Sequence, residues 1–398
     1  IIEGILNKTE VLIKEAKKKE IPEEGRRVVE TGKKIKEIGI KIYLGKSDRG
    51  RDIYWNPGKE KNPHLLIVGT TGAGKTQTLK AIIYELNRLN IPCLIFDFHN
   101  EYDFGTILDL DKITVNPLEL EDESPKNRVY QISSSLRAIY KLGDQQEAQL
   151  RIAIRESYQR HGIYDNQKKS WNSALPTFAE IKRILEEKKK ERNIGGTIIT
   201  LLNRLEPLFD VDVFSAKSTL PLTGIAQKTT TIKLKELPTD EIRTAITEII
   251  LRKVWNHMYK AGSSSKLRLF LIIDEGHRLA YEKSPIDQIT REARKYGMGI
   301  ILSTQRPSDF EEPILANIGA FIALQCVIEK DAKYGTKMGK LKLSQISLES
   351  QKRDEVLVHP RPAQGFLGIV VLSPLLLEVQ RDAEQNFAVL RMDHEPPV

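Results

Sequence analysis

The chain has 398 residues, of which 40% are hydrophobic and 29% are charged, a balance typical of a globular protein with a charged surface. No apolar run approaches the roughly 18 residues that a membrane span needs, and the first residues do not have the pattern of a signal peptide, so we expect a cytoplasmic protein. The net charge of +8 permits nucleic acid as a partner but does not establish one, because much of the excess lies in runs of Lys and Glu that suit solvated helix faces.

The amino-terminal part, residues 1–57, is predicted to form a helical segment and a β-hairpin. Residues up to about 40 have mixed charge and a helical periodicity that Pro22 and Gly32 interrupt. Two short strand-like pieces lie within residues 41–55, and the turn between them includes Gly50. Because the sequence begins with isoleucine rather than methionine, we also expect that further sequence precedes it.

Residues 58–120 and 229–398 are predicted to form an α/β core around a mostly parallel sheet. Their strand-length apolar runs lack polar alternation and are separated by helical stretches, which is typical of parallel strands covered on both faces. The predicted strands are HLLIVG, PCLIFDF and ITVNPL, then TTTIKLKEL, LRLFLIIDE, GIILSTQ and AFIALQC, and a last strand pair within residues 355–373. A helix is predicted over residues 76–90, and a long helix is predicted to begin at Thr239.

Between residues 121 and 228 the strand signals nearly disappear, and charged, helically periodic stretches take their place. Within this interval Pro176 followed by Thr177 is typical of a helix start. We therefore predict that residues 121–228 form an all-helical insertion between the two parts of the core.

The strongest chemical signal is GTTGAGKT at residues 69–76, which matches the phosphate-binding pattern G-x-x-x-x-G-K-[ST]. A buried strand precedes it and a helix follows, so backbone N–H groups and the helix N-terminus would meet the charge of a phosphate. Lys75 would reach the β- and γ-phosphates, and the Thr76 hydroxyl would bind Mg²⁺. A chance glycine-rich turn is the alternative, and it does not account for the strand–loop–helix context. We therefore expect ATP as the ligand, bound by Gly69, Thr70, Thr71, Gly72, Ala73, Gly74, Lys75, Thr76 and Gln77.

Two adjacent carboxylates, Asp274 and Glu275, follow the apolar run LFLII. The carboxyl end of a buried strand is the ligand crevice of an open α/β sheet, so this pair is expected to face the phosphate loop. Asp274 suits the Mg²⁺ side of the site, and Glu275 suits the general base that activates the attacking water. An ordinary acidic strand end is the alternative, but the phosphate loop requires an acidic partner of this kind.

A polar cluster, STQRP, follows the apolar run GIIL directly, at residues 303–307. Its strand comes next after the acidic strand, with one helix between them, and we expect it beside the phosphate-loop strand or that strand's neighbour. Gln305 would then hydrogen-bond the γ-phosphate or the attacking water, and Pro307 would turn the chain away from the site. An ordinary polar strand end is the alternative for this cluster.

Four further stretches accompany these motifs: IFDFHNEY, DEGHRLA, REARKYGMGIILSTQRPSDF and ILANIGAFIALQ. In this order they resemble the HerA branch of the HerA–FtsK superfamily of DNA-pumping P-loop ATPases, within which the chain resembles a distant branch close to the DndH-like ATPases of DNA restriction systems. The resemblance covers residues 58–120 and about 229–372, and it implies a RecA-like ATPase core with a helical insertion. The sequence departs from the family pattern, without losing a charged or polar group, at Phe98, Asn100, Gly276 and Ala293.

The resemblance also implies a ring, usually a hexamer, in which ATP lies between subunits and double-stranded DNA passes through the pore. An arginine from the neighbouring subunit would complete each site. Arg204, at the end of the predicted insertion, is our candidate for this arginine in trans. Arg294 is expected to act within its own subunit, and the role of Arg306 stays open.

Together these features favour an ATP-hydrolysing motor that translocates on or pumps double-stranded DNA, with a nuclease or another DNA-processing protein as partner. Arg278 and Lys283, in the loop 277–287, would contact DNA phosphates without reading the base sequence. A secretion- or conjugation-type ATPase that powers the transfer of macromolecules is the alternative within the superfamily. A nucleotide switch without turnover is a third reading, and Glu275 and Gln305 argue against it.

Overall fold

The computed structural model describes residues 40–47, 52–281, 284–324, 368–372 and 389–391. Eleven strands within these ranges join in one sheet. They are β1 (Ile42–Ser47), β2 (Asp52–Trp55), β3 (Leu65–Val68), β4 (Cys93–Asp97), β5 (Thr106–Asp109), β6 (Thr230–Lys233), β7 (Leu269–Ile273), β8 (Met298–Thr304), β9 (Ala320–Ala323), β10 (Gly368–Leu372) and β11 (Val389–Arg391). Their spatial order is β2-β1-β11-β10-β9-β3-β8-β7-β4-β6-β5.

The larger part of the sheet is parallel. Strands β9, β3, β8, β7, β4, β6 and β5 run in the same direction. Strands β10, β11, β1 and β2 extend the β9 side by antiparallel pairing. The central strands β3, β4, β7 and β8 are buried along their whole length, as their unbroken apolar runs require. The predicted α/β fold with a mostly parallel sheet is therefore confirmed, and β1 and β2 form the predicted hairpin.

Helices cover both faces of this sheet. The helices are α1 (Lys75–Arg88), α2 (Pro125–Tyr140), α3 (Asp144–Arg160), α4 (Phe178–Lys188), α5 (Gly195–Phe209), α6 (Leu222–Ile225), α7 (Asp240–Lys260), α8 (Pro285–Glu292) and α9 (Glu312–Ala316). Side chains alternate along β3, so Leu65 and Ile67 lie in the core that α1 covers. Leu66 and Val68 lie in the core on the opposite face, which α7 and α8 cover.

Helices α2 to α5 pack around a separate apolar core. Thr177 is the N-cap of α4, because its hydroxyl accepts a hydrogen bond from the N–H of Glu180. The predicted helix start is therefore confirmed. Ala245 of α7 belongs to the same core, so the insertion packs against one of the helices that cover the sheet. Other buried members of this core include Leu136, Leu150, Ile181 and Leu201.

One predicted strand is wrong. The segment ITVNPL, residues 113–118, forms only a single bridge, from Val115 to Phe214, and β5 lies earlier in the chain. Ile113 and Val115 are apolar because they fill the core beside the sheet. Strand β5 is an edge strand with exposed and half-buried residues, so it lacks the apolar run that marks the central strands.

Four predictions concern residues outside the described ranges: the helical segment over residues 1–39, the turn at 48–50, Lys283 of the DNA-contact loop and the strand at 355–359. The helices that the structure does describe include none that is both long and apolar enough to cross a membrane.

His64 lies just before β3 and is fully buried at the amino edge of the sheet. Its Nδ1 accepts a hydrogen bond from the N–H of Ile300 (3.2 Å), which requires that this ring nitrogen carry no proton. Burial, with a smaller contribution from the positive charge of Arg294, lowers the pKa of His64 to about 4. The folded chain therefore holds this imidazole neutral where the unfolded chain would protonate it.

We expect His64 to cost the fold about 2 kcal/mol of stability between pH 7 and pH 5. The unfolded imidazole binds its proton near pH 6.5 and the folded one only near pH 4. The fold therefore has its full stability above pH 6.5, and its free energy of unfolding decreases as the pH falls from 6.5 towards 4. Urea unfolding of the wild type and of His64→Asn at both pH values measures the difference, because asparagine keeps an acceptor and does not titrate. The same pH dependence in both proteins would contradict the assignment.

Candidate nucleotide-binding site

Four parallel strands bring the phosphate loop, Asp274, Gln305 and one further acid, Asp97, to one edge of the sheet. The phosphate loop follows β3, and Asp97 ends β4. Asp274 follows β7, and Gln305 follows β8. Because β3, β8, β7 and β4 are neighbours, their carboxyl ends lie side by side in the crevice that binds ligands in sheets of this kind. Of the two positions that the sequence left open for the STQRP strand, the pairing of β8 with β3 selects the one beside the phosphate-loop strand.

The phosphate loop has a backbone that depends on its glycines. Gly72 and Gly74 have φ angles of 79° and 94°, in the left-handed region that favours glycine. Helix α1 begins at Lys75 with no acidic residue in its first turn, which leaves its N-terminus available to an anion. The buried Lys75 Nζ donates to the carbonyl oxygens of Gly69 (2.9 Å) and Thr70 (3.1 Å). The loop therefore presents a cation and a helix N-terminus at the same place, as phosphate binding requires.

The Asp274 carboxylate is in contact with three other segments of the chain: the start of α1, the loop after β4 and the end of β8. Its Oδ2 accepts hydrogen bonds from Thr76 Oγ1 (3.3 Å) and from the Tyr102 hydroxyl (2.6 Å). Its Oδ1 accepts hydrogen bonds from the Ser303 hydroxyl and from the N–H of Glu275. Burial and the charge of Asp274 raise the pKa of Tyr102 well above its usual range, so the phenol keeps its proton and acts as a donor. Thr76 and Asp274, the two predicted magnesium ligands, are thus in direct contact.

Glu275 has a strained backbone directly after this carboxylate. Its φ of 62° and ψ of 43° lie in the left-handed region, which costs a residue other than glycine about 1 kcal/mol. Its side chain is 18% exposed, and Oε2 lies 3.4 Å from His277 Nδ1. Gly276 follows, and a Cβ there would lie 3.0 Å from Phe310 Cζ and 3.3 Å from the Ser303 carbonyl oxygen, so the alanine of the family pattern would require these neighbours to shift by a few tenths of an ångström. Strain of this kind is typical of residues whose placement serves a chemical step.

Gln305 lies exposed after β8 and beside the start of the phosphate loop. The N–H of Gly69 donates to the carbonyl oxygen of Thr304 (3.3 Å), which joins the two strand ends. Thr304 is buried, and its hydroxyl donates to Asp309 Oδ2 (2.9 Å), which fixes the turn after the strand. Arg306 is also exposed, and its N–H donates to Thr304 Oγ1 (3.3 Å). The structure therefore brings Gln305 to the predicted edge of the sheet.

Arg294 lies at the opposite edge of the sheet. It precedes β8, and its guanidinium donates to the carbonyl oxygen of Lys61, which precedes β3. The seven residues of β8 separate Arg294 from Gln305 by roughly 20 Å. Contrary to our expectation, the structure does not bring Arg294 to the phosphate loop of its own chain.

Arg204 lies exposed on α5, within the insertion. Its Nη1 donates to the carbonyl oxygens of Tyr140 (3.2 Å) and Lys141, at the C-terminus of α2. A cation at this position satisfies carbonyl groups that the helix itself leaves unpaired, and it interacts favourably with the helix dipole. Within its own chain, Arg204 therefore attaches the end of α2 to α5.

Asp97 is a second buried carboxylate at the site, and sequence reasoning gave it no role. The N–H groups of His99 (3.2 Å), Glu101 (3.0 Å) and Tyr102 (3.0 Å) donate to its oxygens. Lys233 Nζ, at the end of β6, forms an ion pair with it at 2.9 Å. The available signal was the position of IFDFHNEY, which starts at a strand end on the same edge as the phosphate loop.

The donors at this edge suit ATP with Mg²⁺. Mg²⁺ prefers hard oxygen ligands, and the hydroxyl of Thr76 and the carboxylate of Asp274 supply them side by side. Lys75 and the N–H groups of the first turn of α1 supply positive charge for the phosphates, and Gln77 lies exposed on that turn. The residues present therefore fit the nucleotide and the metal that the sequence motifs predict.

Comparison with known proteins identifies relatives of this chain. Residues 42–254 match the model of a family described as helicase HerA, central domain. The DNA double-strand break repair helicase HerA of Sulfurisphaera tokodaii is 27% identical over 285 residues, which cover 68% of this chain and 56% of that protein. The DNA import protein CedB of Sulfolobus acidocaldarius is 28% identical over 298 residues, which cover 70% of this chain and 47% of that protein. The chain spans between 47% and 60% of the length of the curated relatives it matches.

Among solved structures, the chain resembles VirB4 of Thermoanaerobacter pseudethanolicus. The TM-score is 0.66 with 20% sequence identity, and the alignment covers 89% of this chain and 96% of that chain. At this identity the likeness concerns the fold, which is the α/β architecture described above. The match to the HerA family confirms the resemblance that IFDFHNEY, DEGHRLA and STQRP indicate.

Proposed function

The chain belongs to the family of the helicase HerA central domain, and we propose that it is an ATP-hydrolysing motor that translocates on or pumps double-stranded DNA. It works as a homohexameric ring with a nuclease or another DNA-processing protein as partner. The contact between Thr76 and Asp274 carries the ATPase part of this proposal, because ATP hydrolysis with Mg²⁺ needs the loop hydroxyl and the strand-end acid together. The relative from Sulfurisphaera tokodaii is named as a DNA repair helicase, which supports DNA as the substrate of movement.

Each residue at the edge of the sheet has a role in this reaction. Lys75 binds the phosphates and balances their charge. Thr76 and Asp274 hold Mg²⁺, which, when bound, neutralises the negative charge that develops on the phosphate oxygens. Glu275 accepts the proton of the attacking water. Gln305 donates a hydrogen bond to that water or to the γ-phosphate, and so makes hydrolysis depend on a third phosphate.

The rate of ATP hydrolysis with and without linear duplex DNA tests this proposal, on material whose mass in solution has been measured. We expect ATP hydrolysis to require Mg²⁺ and to be accelerated severalfold by duplex DNA, because a DNA motor completes its catalytic cycle while it is bound to DNA. Lys75→Ala is the control, because a contaminating ATPase would survive this change. Hydrolysis that no nucleic acid accelerates would contradict the motor.

Macromolecule transfer by a secretion- or conjugation-type ATPase is the second candidate function. One observation favours it, the similarity to a protein named for DNA import. Such an ATPase would respond to its membrane complex or to its cargo rather than to free duplex DNA. This second function would be favoured if membrane proteins reconstituted in liposomes stimulate the ATPase activity and linear DNA does not.

A further inference from the structure

Four hydrogen-bond donors hold the Asp274 carboxylate, and two of them have no place in the mechanism above. Thr76 and the N–H of Glu275 belong to the motifs themselves. The Tyr102 hydroxyl reaches Oδ2 from the loop after β4, and the Ser303 hydroxyl reaches Oδ1 from β8. Both side chains are buried, so neither hydroxyl can exchange its bond for one to water.

The bond from Tyr102 is short and has a charged acceptor. At 2.6 Å it is in the range of O–H···O⁻ bonds, which are about twice as strong as neutral ones. With Ser303 on the other oxygen, the carboxylate has a donor at each end and cannot rotate about its C–C bond without losing one of them. The orientation of Asp274 is therefore fixed before any ligand arrives.

The ion pair of Asp97 and Lys233 fixes Tyr102 in turn. The N–H of Tyr102 donates to Asp97 Oδ2 (3.0 Å), and its carbonyl oxygen accepts a hydrogen bond from Lys233 Nζ (2.7 Å). Asp97 and Lys233 also pair with each other at 2.9 Å, so one ion pair binds the Tyr102 backbone on both sides. These contacts connect Lys233 at the end of β6, through Tyr102 in the loop after β4, to Asp274 after β7.

We propose that Tyr102 and Ser303 are positioning residues for the metal site: their hydroxyls hold the Asp274 carboxylate in the orientation that binds Mg²⁺ together with Thr76. The Asp97–Lys233 pair supports Tyr102 in this task. The proposal rests on the proposed function in one respect, that the site holds Mg²⁺ with ATP. Outer-shell partners of this kind orient the first ligands of metal sites, and their loss weakens metal binding.

Tyr102→Phe tests the proposal, because it removes one hydroxyl and keeps the ring. Mn²⁺ serves as the probe, and its free concentration is followed by electron paramagnetic resonance in the presence of a non-hydrolysable ATP analogue. We expect the dissociation constant of Mn²⁺ to rise about tenfold, in line with other outer-shell partners, while the affinity for the nucleotide in EDTA stays within about twofold of the wild type. ATP hydrolysis should recover at high Mg²⁺ concentration.

Tyr158→Phe is the matched control. Tyr158, in the insertion, is equally buried, and its hydroxyl donates to the carbonyl oxygen of Leu118 (2.7 Å). This variant loses the same atom and should bind Mn²⁺ like the wild type. Ser303→Ala, which removes the donor on the other oxygen, is the second test variant and leaves the β4 loop intact.

Two failures can be told apart. A wild-type protein that binds neither the nucleotide nor Mn²⁺ would overturn the proposed function and this inference together. A wild type that binds both, with unchanged Mn²⁺ affinity in Tyr102→Phe or in Ser303→Ala, would overturn the positioning role alone. An equal loss of Mn²⁺ affinity in Tyr158→Phe and in Tyr102→Phe would also overturn the positioning role, because the effect would then reflect general destabilisation of the protein.

Discussion

Glu275→Gln is expected to lower the rate of ATP hydrolysis by about 10²–10⁴-fold while ATP affinity stays unchanged. Glutamine has the size of glutamate and can keep the contact with His277, but it cannot accept a proton from the attacking water. The magnesium side of the site is untouched, since the contact between Thr76 and Asp274 does not involve the Glu275 side chain. Phosphate release under steady-state conditions measures the rate, and titration with a fluorescent ATP analogue measures the affinity.

Glu186→Gln is the control for this substitution. Glu186 lies exposed on α4, in the insertion, so the same loss of charge should leave both measurements unchanged. Unchanged turnover in Glu275→Gln would remove Glu275 from the role of general base. Lost ATP binding in the same variant would show instead that Glu275 holds the left-handed turn after β7 in place, and that the strain there serves the fold.

The sequence allowed the phosphate loop to be predicted because its chemistry is local. Eight consecutive residues supply the glycines for the left-handed backbone, the cation and the metal-binding hydroxyl, and the flanking strand and helix are visible in the apolar pattern. The acidic pair was predictable for a related reason. A carboxyl group directly after a buried parallel strand must lie at the ligand edge, whatever the order of the strands.

The order of strands was only partly predictable. Sequence reasoning left two places open for β8, because apolar runs determine which segments are strands but not which strand lies next to which. The structure places β8 between β3 and β7, and this order sets Gln305 beside Gly69. The strand wrongly predicted at residues 113–118 has a different origin, because Val115 is apolar and buried in the core without being part of the sheet.

The contact between Tyr102 and Asp274 was not predictable from the sequence. The two residues are 172 positions apart, and neither periodicity nor spacing relates a tyrosine in one loop to an acid in another. Buried side-chain bonds of this type depend on the exact approach of two loops, which the packing of the whole sheet sets. What the sequence did show was the strand end at Asp97, five residues before Tyr102, on the edge that carries the site.

Arg204 can serve the site of a neighbouring subunit only if the insertion is held firmly on the core. Glu248 of α7 provides such a connection, because it is 2% exposed and accepts hydrogen bonds from the Ser135 hydroxyl of α2 and from the Tyr281 hydroxyl. Tyr281 lies in the segment that follows Glu275. One buried carboxylate therefore ties the insertion to the segment that follows Asp274 and Glu275.

Arg204→Ala is expected to lower ATP hydrolysis by about 10³-fold or more if its guanidinium reaches the phosphates of a neighbouring site. Arg204→Lys separates this role from the contact with α2, because lysine can still donate to the carbonyl oxygens of Tyr140 and Lys141 but lacks the planar fork. We expect Arg204→Lys to fold and assemble like the wild type and to hydrolyse ATP slowly. Circular dichroism and the mass in solution check the first point, and phosphate release checks the second.

Mixing two inactive proteins tests whether the arginine acts between subunits. Lys75→Ala disables its own site but keeps Arg204, and Arg204→Ala keeps its phosphate loop, so in mixed rings of equal parts about one quarter of the sites would have both residues. We expect hydrolysis to return on mixing. Arg294→Ala is the comparator. Because Arg294 lies roughly 20 Å from the ligand edge of its own chain, it could contribute only to the site of a neighbouring subunit. Rescue in mixtures with Arg294→Ala but not with Arg204→Ala would assign the arginine in trans to Arg294, and full activity of Arg204→Ala alone would exclude Arg204 from catalysis.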